Sequence, residues 1–336
     1  MTLPLPAIPA PTHRASRLAR LQQCTVVLTA ILVAVWLAWF WNGPGAVAAA
    51  GVLLLVFGYA LVLALEFVAV HRVNRGDAVA AAGRLTLAQA WWQEVRVALQ
   101  VFSWRQPFLW RRCPDEAVPP APGQTAVVLV HGFVCNRGLW LPWMRELLRR
   151  GMPYTSVNLE PVFGSINDYI PLIDDAVQRA QALTGRPPVL VCHSMGGLAA
   201  RAWCAATPDA HARVRRVITI GSPHHGTWLG RFSRMPNGRQ MRQQGAWLVD
   251  LQSREAALTP ANTYARFTCW YSNADNIVFP ASTAMLPGAD NRHVPGVAHV
   301  ALAFHPRVMA ETLAWVASVR DADTPYREAN GRPLRP

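Results

Sequence analysis

A serine lies at the junction between an apolar, strand-like run and a helix rich in small residues. Residues 188–192 (PVLVC) form the run, and HSMGG (193–197) follows directly before the helix. In such a turn the serine is held in a strained backbone that projects its hydroxyl clear of the sheet, and the residues two before and two after it must be small. Gly196 and Cys192 are both small. The pattern predicts that Ser194 is a nucleophile.

A nucleophilic serine needs a general base and a carboxylate that orients this base. Asp275 follows a predicted strand (265–271) and is the preferred carboxylate. His299 lies between this aspartate and the last predicted helix, so the three residues occur in the order Ser, Asp, His. His299 is therefore the predicted base. The alternatives left open are Asp250 and Asp290 for the carboxylate, and His293 and His305 for the base.

The attacked carbonyl group needs two backbone N–H donors that stabilise its developing negative charge. Met195 follows the nucleophile and supplies one donor. Phe133, in the His-Gly-Phe sequence after an apolar run (125–130), is the predicted second donor, and Gly132 lets this loop pass close to the substrate. The residues expected to support the site without reacting are His131, Gly132, His193, Gly196, His224 and His225.

The remainder of the C-terminal two-thirds of the chain alternates between strand-like and helix-like patterns. Such alternation predicts a parallel sheet with helices on both faces, which is an α/β fold. The predicted strands are 125–130, 154–159, 188–192, 214–220 and 265–271, and the predicted helices include 166–183, 198–206 and 308–319.

Five segments of the chain together carry a resemblance to a known family: VVLVHGF, VLVCHSMGG, ITIGSPHHGT, YSNADNIV and GVAHVAL. Together they resemble the α/β-hydrolase superfamily, and within it the bacterial lipases and esterases, over about residues 125–319. The resemblance implies the α/β-hydrolase fold, without the first two antiparallel strands of the family, and hydrolysis of carboxylic esters. The stretch at about 224–262 is similar to the one that leads into the mobile cap of such lipases. Cys192 stands where the family usually has glycine.

The composition argues against a nucleic-acid-binding protein, a zinc protein and a protein stabilised by disulfides. The chain has 336 residues, 52% of them hydrophobic, and its 32 basic residues, all arginine, exceed the 19 acidic ones by 13. These arginines form no dense run that would follow a phosphate backbone, so we expect no nucleic-acid partner. The six cysteines show no paired spacing, which predicts neither a zinc site nor a disulfide framework. No cofactor or metal ion is expected.

Two apolar segments near the N-terminus are each long enough to cross a bilayer. Residues 24–41 and 46–65 carry no charge and are joined by the short turn 42–45. At about 1.5 Å per residue, helices of this length span the hydrocarbon core. The pattern predicts a transmembrane helical hairpin within residues 21–70. A cleaved signal peptide, with Ala-Val-Ala (46–48) as its cleavage site, and a pair of buried soluble helices are the alternatives.

Arginines flank the predicted hairpin on both sides. Arg14, Arg17 and Arg20 precede it, Arg72 and Arg75 follow it, and the turn carries no charge. By the positive-inside rule both flanks face the cytoplasm. We therefore expect a location in the bacterial inner membrane, with the catalytic domain on the cytoplasmic face. The expected partners are the lipid bilayer and a lipidic or otherwise apolar ester substrate.

The region between the hairpin and the catalytic domain has two parts. Residues 87–103 carry polar side chains at intervals of three and four, which predicts an amphipathic helix with a broad apolar face. This helix either lies in the membrane interface or packs on the catalytic domain, and the pattern favours neither position. Residues 113–124 contain four prolines and are interpreted as a linker.

The sequence predicts ester hydrolysis by a Ser-His-Asp acyl-enzyme mechanism. A thioesterase would use the same residues, whereas an acyltransferase of this fold typically carries a cysteine as its nucleophile. A non-catalytic membrane scaffold is the remaining alternative, and the oligomeric state is left open. The predicted domains are a basic segment (1–20), the hairpin (21–70), the juxtamembrane region and linker (71–124), the α/β-hydrolase domain (125–320) and a disordered tail (321–336).

Overall fold

The computed structural model describes residues 15–115, 118–258 and 263–322. Most of the predicted basic segment, including Arg14, lies outside this part of the chain, as do residues 259–262 at the end of the predicted cap. The tail predicted to be disordered lies outside it from residue 323 onwards. Residues 321 and 322 instead form the end of the last helix.

A parallel sheet lies at the centre of the described part of the chain. Its strands are β1 Val127–Val130, β2 Tyr154–Ser156, β3 Val189–His193, β4 Arg216–Ile220, β5 Phe267–Tyr271 and β6 Asp290–His293. They lie in the order β2-β1-β3-β4-β5-β6, and every neighbouring pair is parallel. The first five strands fall within or next to the predicted ones. This arrangement is the α/β fold that the sequence predicts.

The sixth strand, β6, is absent from the predicted strands because its sequence, DNRH, is polar. It lies at the edge of the sheet and is half-buried, so its side chains face water in part. Its position is set by pairing with β5, where Thr268 lies opposite Asp290 and Tyr271 lies opposite His293. Hydrophobic patterning therefore gives no signal for a strand of this kind.

Helices cover both faces of the sheet. The α-helices are α1 Arg17–Trp39, α2 Gly45–Phe57, α3 Tyr59–Val73, α4 Arg84–Gln100, α5 Gln106–Phe108, α6 Leu141–Arg149, α7 Ile170–Thr184, α8 Met195–Ala206, α9 Ala210–Arg213, α10 Pro236–Gln240, α11 Ala246–Leu258, α12 His299–Leu302 and α13 Pro306–Ala322. A π-helical turn spans Val101–Arg105, and short 3-10 helices span Asn74–Gly76, Arg137–Trp140, Ile166–Tyr169, Trp228–Phe232 and Ala281–Ala284.

Alternate residues of the central strands enter two separate hydrophobic clusters, because successive side chains of a strand point to opposite faces. Val127 and Leu129 of β1 pack with residues of α6 and α13, whereas Val128 and Val130 pack with residues of α7 and α8. Both faces are therefore covered, which explains why the strands read as continuous apolar runs rather than alternating ones.

The helices that precede the α/β domain share its core. Phe67 and Val70 of α3, together with Leu87 and Ala90 of α4, are buried in the same cluster as β1 and α13. The predicted amphipathic helix thus packs its apolar face on the α/β domain, which is one of its two expected positions. Trp92, on its other side, is exposed.

The first two helices fold back on each other. The indole Nε1 of Trp36 in α1 donates a hydrogen bond to the carbonyl oxygen of Ala48 in α2 (3.1 Å). A Cβ at Gly51 would lie 2.0 Å from the same indole, so the glycine permits this close contact. Among the described helices, α1 is the one that is long and apolar enough by itself to cross a membrane.

The second apolar segment is not the continuous helix that the sequence predicts. It is broken at Gly58 into α2 and α3, and these helices are bent by 59° relative to each other. A Cβ at Gly58 would lie 2.5 Å from the carbonyl oxygen of Leu54, so the bend depends on the missing side chain. The two helices meet the length and hydropathy requirements for a membrane span only when they are taken together as one bent unit.

Asp115, in the segment interpreted as a linker, is packed against the α/β domain. Asp115 is buried and accepts hydrogen bonds from Arg137 (2.6 Å), Arg179 (3.0 Å) and the amide of Ser156 (2.7 Å). Burial alone would raise the pKa of Asp115, but the two guanidinium groups lower it below its ordinary value of 3.8. A proline-rich sequence hides this role, because the arginines that bind the carboxylate lie far along the chain.

Replacing Asp115 by asparagine should destabilise the fold. The substitution leaves the buried guanidinium of Arg137 without a counter-charge, which typically costs about 3–5 kcal/mol. We expect a loss of this size in the free energy of unfolding, measured by urea denaturation of the full chain in detergent. The control Glu146→Gln removes a carboxylate that pairs with Arg149 and Arg150 at the surface and should have a much smaller effect. Equal losses in both variants would contradict the prediction.

Candidate active site

Ser194 lies on a sharp turn between β3 and α8. Its φ is +56° and its ψ is −130°, a region that residues with a Cβ rarely adopt. Its amide donates to the carbonyl oxygen of Ile220 in β4 (2.9 Å), so the neighbouring strand holds the turn in place. This backbone geometry projects a serine side chain from the carboxyl edge of a sheet.

Small residues allow three backbone segments to meet at this turn. A Cβ at Gly132 would lie 2.6 Å from the Cβ of Ser194, and a Cβ at Gly196 would lie 2.6 Å from the carbonyl oxygen of His131. Cys192, which replaces the usual glycine, is fully buried. Burial raises the pKa of its thiol well above the ordinary value of 9.0, so the thiol stays protonated and does not compete as a nucleophile.

Asp275 and His299 form a buried, hydrogen-bonded pair. The Nδ1 atom of His299 lies 2.9 Å from Oδ2 of Asp275. The other carboxylate oxygen, Oδ1, accepts the amides of Ile277 (2.9 Å) and Val278 (2.7 Å), which fixes its orientation. Gly221, at the end of β4, faces this pair, because a Cβ there would lie 2.9 Å from the carboxylate and 3.2 Å from the imidazole.

The structure brings Ser194, Asp275 and His299 to the same edge of the sheet. The strand that holds the serine turn, β4, leads directly into Gly221, which contacts the other two residues. The ring of His193, the residue before the serine, lies 4.6 Å from the ring of His299. Ser194 and His299 are only 6% and 5% exposed, so this edge is covered rather than open to water.

The loop after β1 is locked in place by His131. The N–H of Leu159 donates to Nε2 of this histidine (3.0 Å), so its ring proton lies on Nδ1, which faces the carbonyl oxygen of Gly132 (2.9 Å). In a trans peptide the N–H points away from the carbonyl oxygen, so this contact also orients the N–H of Phe133. Met195, the other predicted donor, begins α8 directly after the serine, at the positive end of the helix dipole.

Charges around the imidazole favour its protonated form. Burial alone would lower the pKa of His299, but Asp275, Glu94 and Glu66 raise it above the ordinary value of 6.5. Burial lowers the pKa of His193 well below 6.5, so this neighbouring ring is neutral at physiological pH. The site therefore holds one imidazole whose proton is stabilised by carboxylates and one that stays neutral.

The alternative residues are engaged elsewhere. Asp290 and His293 belong to β6, where Asp290 pairs with Arg292 (2.7 Å). Asp250 pairs with an arginine on the surface of α11, and His305 directly precedes α13. Among the described residues, no three or more histidine, cysteine or acidic side chains are grouped so that they could hold a metal ion.

The predicted cap, as far as residue 258, links two sides of this region. Trp228 stacks on Phe279, in the loop that follows Asp275 (ring centroids 5.7 Å apart). On the other side, the side-chain amide of Asn237 donates to the carbonyl oxygen of Val162 (2.8 Å). The segment thus connects the loop after β5 with the segment after β2.

A carboxylate from α4 reaches the loop that carries His299. Glu94 is buried, and its two oxygens accept the backbone N–H groups of Val300 (2.9 Å) and Ala301 (3.1 Å). Glu94 is not among the predicted site residues. Its signal in the sequence is a charge on the apolar side of an amphipathic helix, which requires a buried partner.

A second carboxylate, Glu66 of α3, reaches the same loops through Asn276. The side-chain amide of Asn276 donates to Glu66 (2.7 Å), and its Oδ1 accepts the backbone N–H of His299 (3.2 Å). Neither residue is among the predicted site residues. The available signal is that Glu66 is the one charged residue within the predicted hairpin, residues 21–70.

Comparisons with known proteins agree with this architecture. The mature form of the lipase BlEst2 from Bacillus licheniformis is 17% identical to this chain, with a TM-score of 0.50. The superposed region covers 59% of this chain and 94% of the lipase. Lipase B of Aspergillus fumigatus is 15% identical to this chain, with a TM-score of 0.51. The superposed region covers 88% of this chain and 76% of lipase B. At these identities the likeness shows the fold. No curated protein matches the chain.

A family model places the chain more specifically. The model described as the alpha/beta hydrolase family matches residues 127–312, which is 186 of the 336 residues. The matched stretch runs from β1 into α13 and contains the serine turn and the Asp275–His299 pair. The chain therefore belongs to the alpha/beta hydrolase family.

Proposed function

We propose that this protein is a membrane-anchored serine hydrolase that cleaves carboxylic esters. Two features at one edge of the sheet support the proposal: a serine on a strained turn and a buried Asp275–His299 hydrogen bond. A strained, non-glycine backbone persists only where the surrounding structure imposes it, and such positions cluster at functional sites.

The proposed reaction proceeds through an acyl-enzyme. Ser194 Oγ attacks the ester carbonyl while Nε2 of His299 accepts its proton, and Asp275 holds Nδ1–H and stabilises the imidazolium. The backbone N–H groups of Phe133 and Met195 bind the oxyanion. His299 then protonates the leaving alcohol. A water molecule that gives its proton to the same imidazole attacks the acyl-enzyme, which releases the carboxylic acid and restores the serine.

Exposed apolar side chains near the site favour a lipidic or otherwise apolar ester. Phe163 packs edge to face on Phe133 of the proposed oxyanion loop (5.8 Å between ring centroids), yet it is 43% exposed. Phe232 and Met235, in the predicted cap, are exposed as well. The two structures of similar fold named above are called lipases. An acyl chain would cover such apolar surface.

Contacts at both ends of the apolar region support a membrane hairpin. At the start of α1, the backbone N–H of Arg17 donates to the carboxylate of Glu160 (2.9 Å). After α3, the side chain of Asn74 donates to the carbonyl oxygen of Asn273 (3.1 Å). The apolar segments thus leave the catalytic domain and return to it, even though the second one is bent. With arginines on both flanks, we propose a bacterial inner-membrane protein whose catalytic domain faces the cytoplasm.

Replacing Ser194 by alanine should abolish catalysis. We expect kcat/KM for a nitrophenyl ester to fall at least about 10³-fold, because the variant lacks the hydroxyl on which the proposed acyl-enzyme forms. The same variant should not be labelled by a fluorophosphonate probe. Ser318→Ala, on the exposed side of α13, is the matched control and should keep both signals. Undiminished labelling of the Ser194 variant would refute the proposed nucleophile.

The pH profile should show the raised pKa of His299. The imidazole must be neutral to accept the serine proton, so activity is lost as the pH falls through the pKa of this residue. We expect the acid limb of kcat/KM to have its midpoint above pH 6.5, measured between pH 5 and 9. A midpoint below 6.5, or a flat profile, would contradict the assignment.

Reporter fusions should place both ends of the hairpin on one side of the membrane. A fluorescent protein fused after Pro336 is expected to fluoresce in the cytoplasm of a Gram-negative host, and alkaline phosphatase inserted after Asn42 is expected to be active in the periplasm. If α2 and α3 re-enter instead of crossing, the C-terminal reporter will lie in the periplasm, which would overturn the cytoplasmic assignment.

A further inference from the structure

We propose that Glu94 and Glu66 are positioning residues for His299, so that α3 and α4 form part of the catalytic unit. The inference rests on the proposed role of His299 as general base. It deepens that role, because it assigns the placement of the base to helices that precede the catalytic domain and continue from the apolar segments.

Glu94 fixes the backbone that begins with His299. Helix α12 starts at His299, and the two residues after it, Val300 and Ala301, each donate a backbone N–H to one oxygen of the Glu94 carboxylate. Helix N-termini leave such N–H groups without partners inside the helix. A rigid, two-point contact from α4 therefore sets both the position and the tilt of the peptide that carries the imidazole.

Glu66 acts on the neighbouring peptide, the one that ends in the backbone N–H of His299. Through Asn276 it is connected to the backbone N–H of His299, and Asn276 directly follows the carboxylate residue Asp275. The amide of Asn276 has one donor end and one acceptor end, and each has a fixed partner. Glu66 thus ties the loop of the proposed acid to the loop of the proposed base.

The connection between α3 and α4 also holds the loop that follows β5. The side chain of Asn273 donates to the carbonyl oxygen of Ala80 (2.9 Å), and its oxygen accepts the backbone N–H of Gly296 (3.0 Å). Asp77 accepts both the backbone N–H (2.8 Å) and the hydroxyl of Ser282. These contacts keep the loop fixed at several points, so movement of α3 relative to the sheet would be transmitted to the site.

The carboxylates also set the charge around the imidazole. The titratable groups that face His299 are Asp275 from the loop after β5, Glu94 from α4, Glu66 from α3 and His193 from the end of β3. Burial raises the pKa of Glu94 to about 7, and its contacts with Val300, His299 and Ala301 act against this shift. Glu94 thus gains its charge near neutral pH, and that charge favours the imidazolium formed during the reaction.

The test compares Glu94→Gln and Glu66→Gln in the full chain, in detergent, with wild type. Glutamine keeps the volume of glutamate but loses its charge. At position 94 the NH₂ group of glutamine would face a backbone N–H, so one of the two hydrogen bonds is lost. We expect kcat/KM at pH 8 to fall about 10²-fold for Glu94→Gln, because small misplacements of catalytic groups have effects of this size. Glu66→Gln should show a smaller loss. Glu146→Gln, at a half-buried position in α6 where the carboxylate pairs with surface arginines, is the matched control and should behave as wild type.

The pH profile separates positioning from a general loss of structure. In both variants the acid limb should move to lower pH, since removal of a nearby negative charge lowers the pKa of His299. Rates are expressed per active site, titrated with a fluorophosphonate. Should either glutamine variant lose activity without any shift of the acid limb, the role is merely structural and the inference is refuted. Wild-type rates and midpoints in both variants would refute it as well.

The same measurements distinguish this inference from the proposed function. If Ser194→Ala and His299→Ala both hydrolyse the ester as wild type does, the catalytic assignment itself fails. If those two variants are inactive while Glu94→Gln and Glu66→Gln keep the wild-type rate and midpoint, the catalytic assignment stands and only the positioning role is rejected. Should Glu94→Gln fail to fold, Glu66→Gln decides the question by itself.

Discussion

The positive φ angle of Ser194 is the constraint on which the rest of the site depends. The turn is tolerated because β4 accepts the amide of the serine and because glycines at 132 and 196 let the loop after β1 and the first turn of α8 come within van der Waals distance. A side chain at Gly132 would collide with Ser194, and one at Gly196 would collide with the backbone of Val130 and His131. The parallel register of β1, β3 and β4 therefore serves to bring three chain segments together at one point.

Buried charged groups are a second constraint on the structure. Asp115 with its two arginines, the Asp275–His299 pair and Glu94 all lie in the interior, and each has fixed hydrogen-bond partners. An unpaired charge in such surroundings would cost several kcal/mol, so these groups strongly restrict which arrangements of the loops are stable. Around His299 the same low-polarity surroundings make each neighbouring carboxylate more effective in raising its pKa.

Helices α3 and α4 join the apolar N-terminal part of the chain to the α/β domain. Phe67, Val70 and Leu87 share a hydrophobic cluster with the sheet, while the polar side chains of the same helices contact the loops that carry Asp275 and His299. Helices that only attached the domain to a bilayer would need neither the shared hydrophobic core nor the polar contacts with these loops. The structure is therefore one unit in which α3 and α4 share the hydrophobic core of the α/β domain.

Local sequence patterns were sufficient for the features that depend on neighbouring residues. The apolar runs predicted β1 to β5, and small residues around Ser194 predicted its turn, because strand pairing and close backbone approach leave direct marks on composition. The order of Asp275 and His299 indicated a pair, and the structure places them in hydrogen-bond contact, while their catalytic roles stay predictions. The α/β fold followed from the same patterns.

Features that depend on distant residues were decided only by the tertiary structure. Glu94 lies 206 residues before its partner Val300, and no local pattern connects two such positions. The polar edge strand β6 and the buried carboxylate of Asp115 are hidden for the same reason. The sequence by itself determined which segments are apolar enough to form a core and which serine lies on a strained turn. Which charges meet inside that core was determined by packing, because a buried charge is stable only where the folded chain supplies its partner.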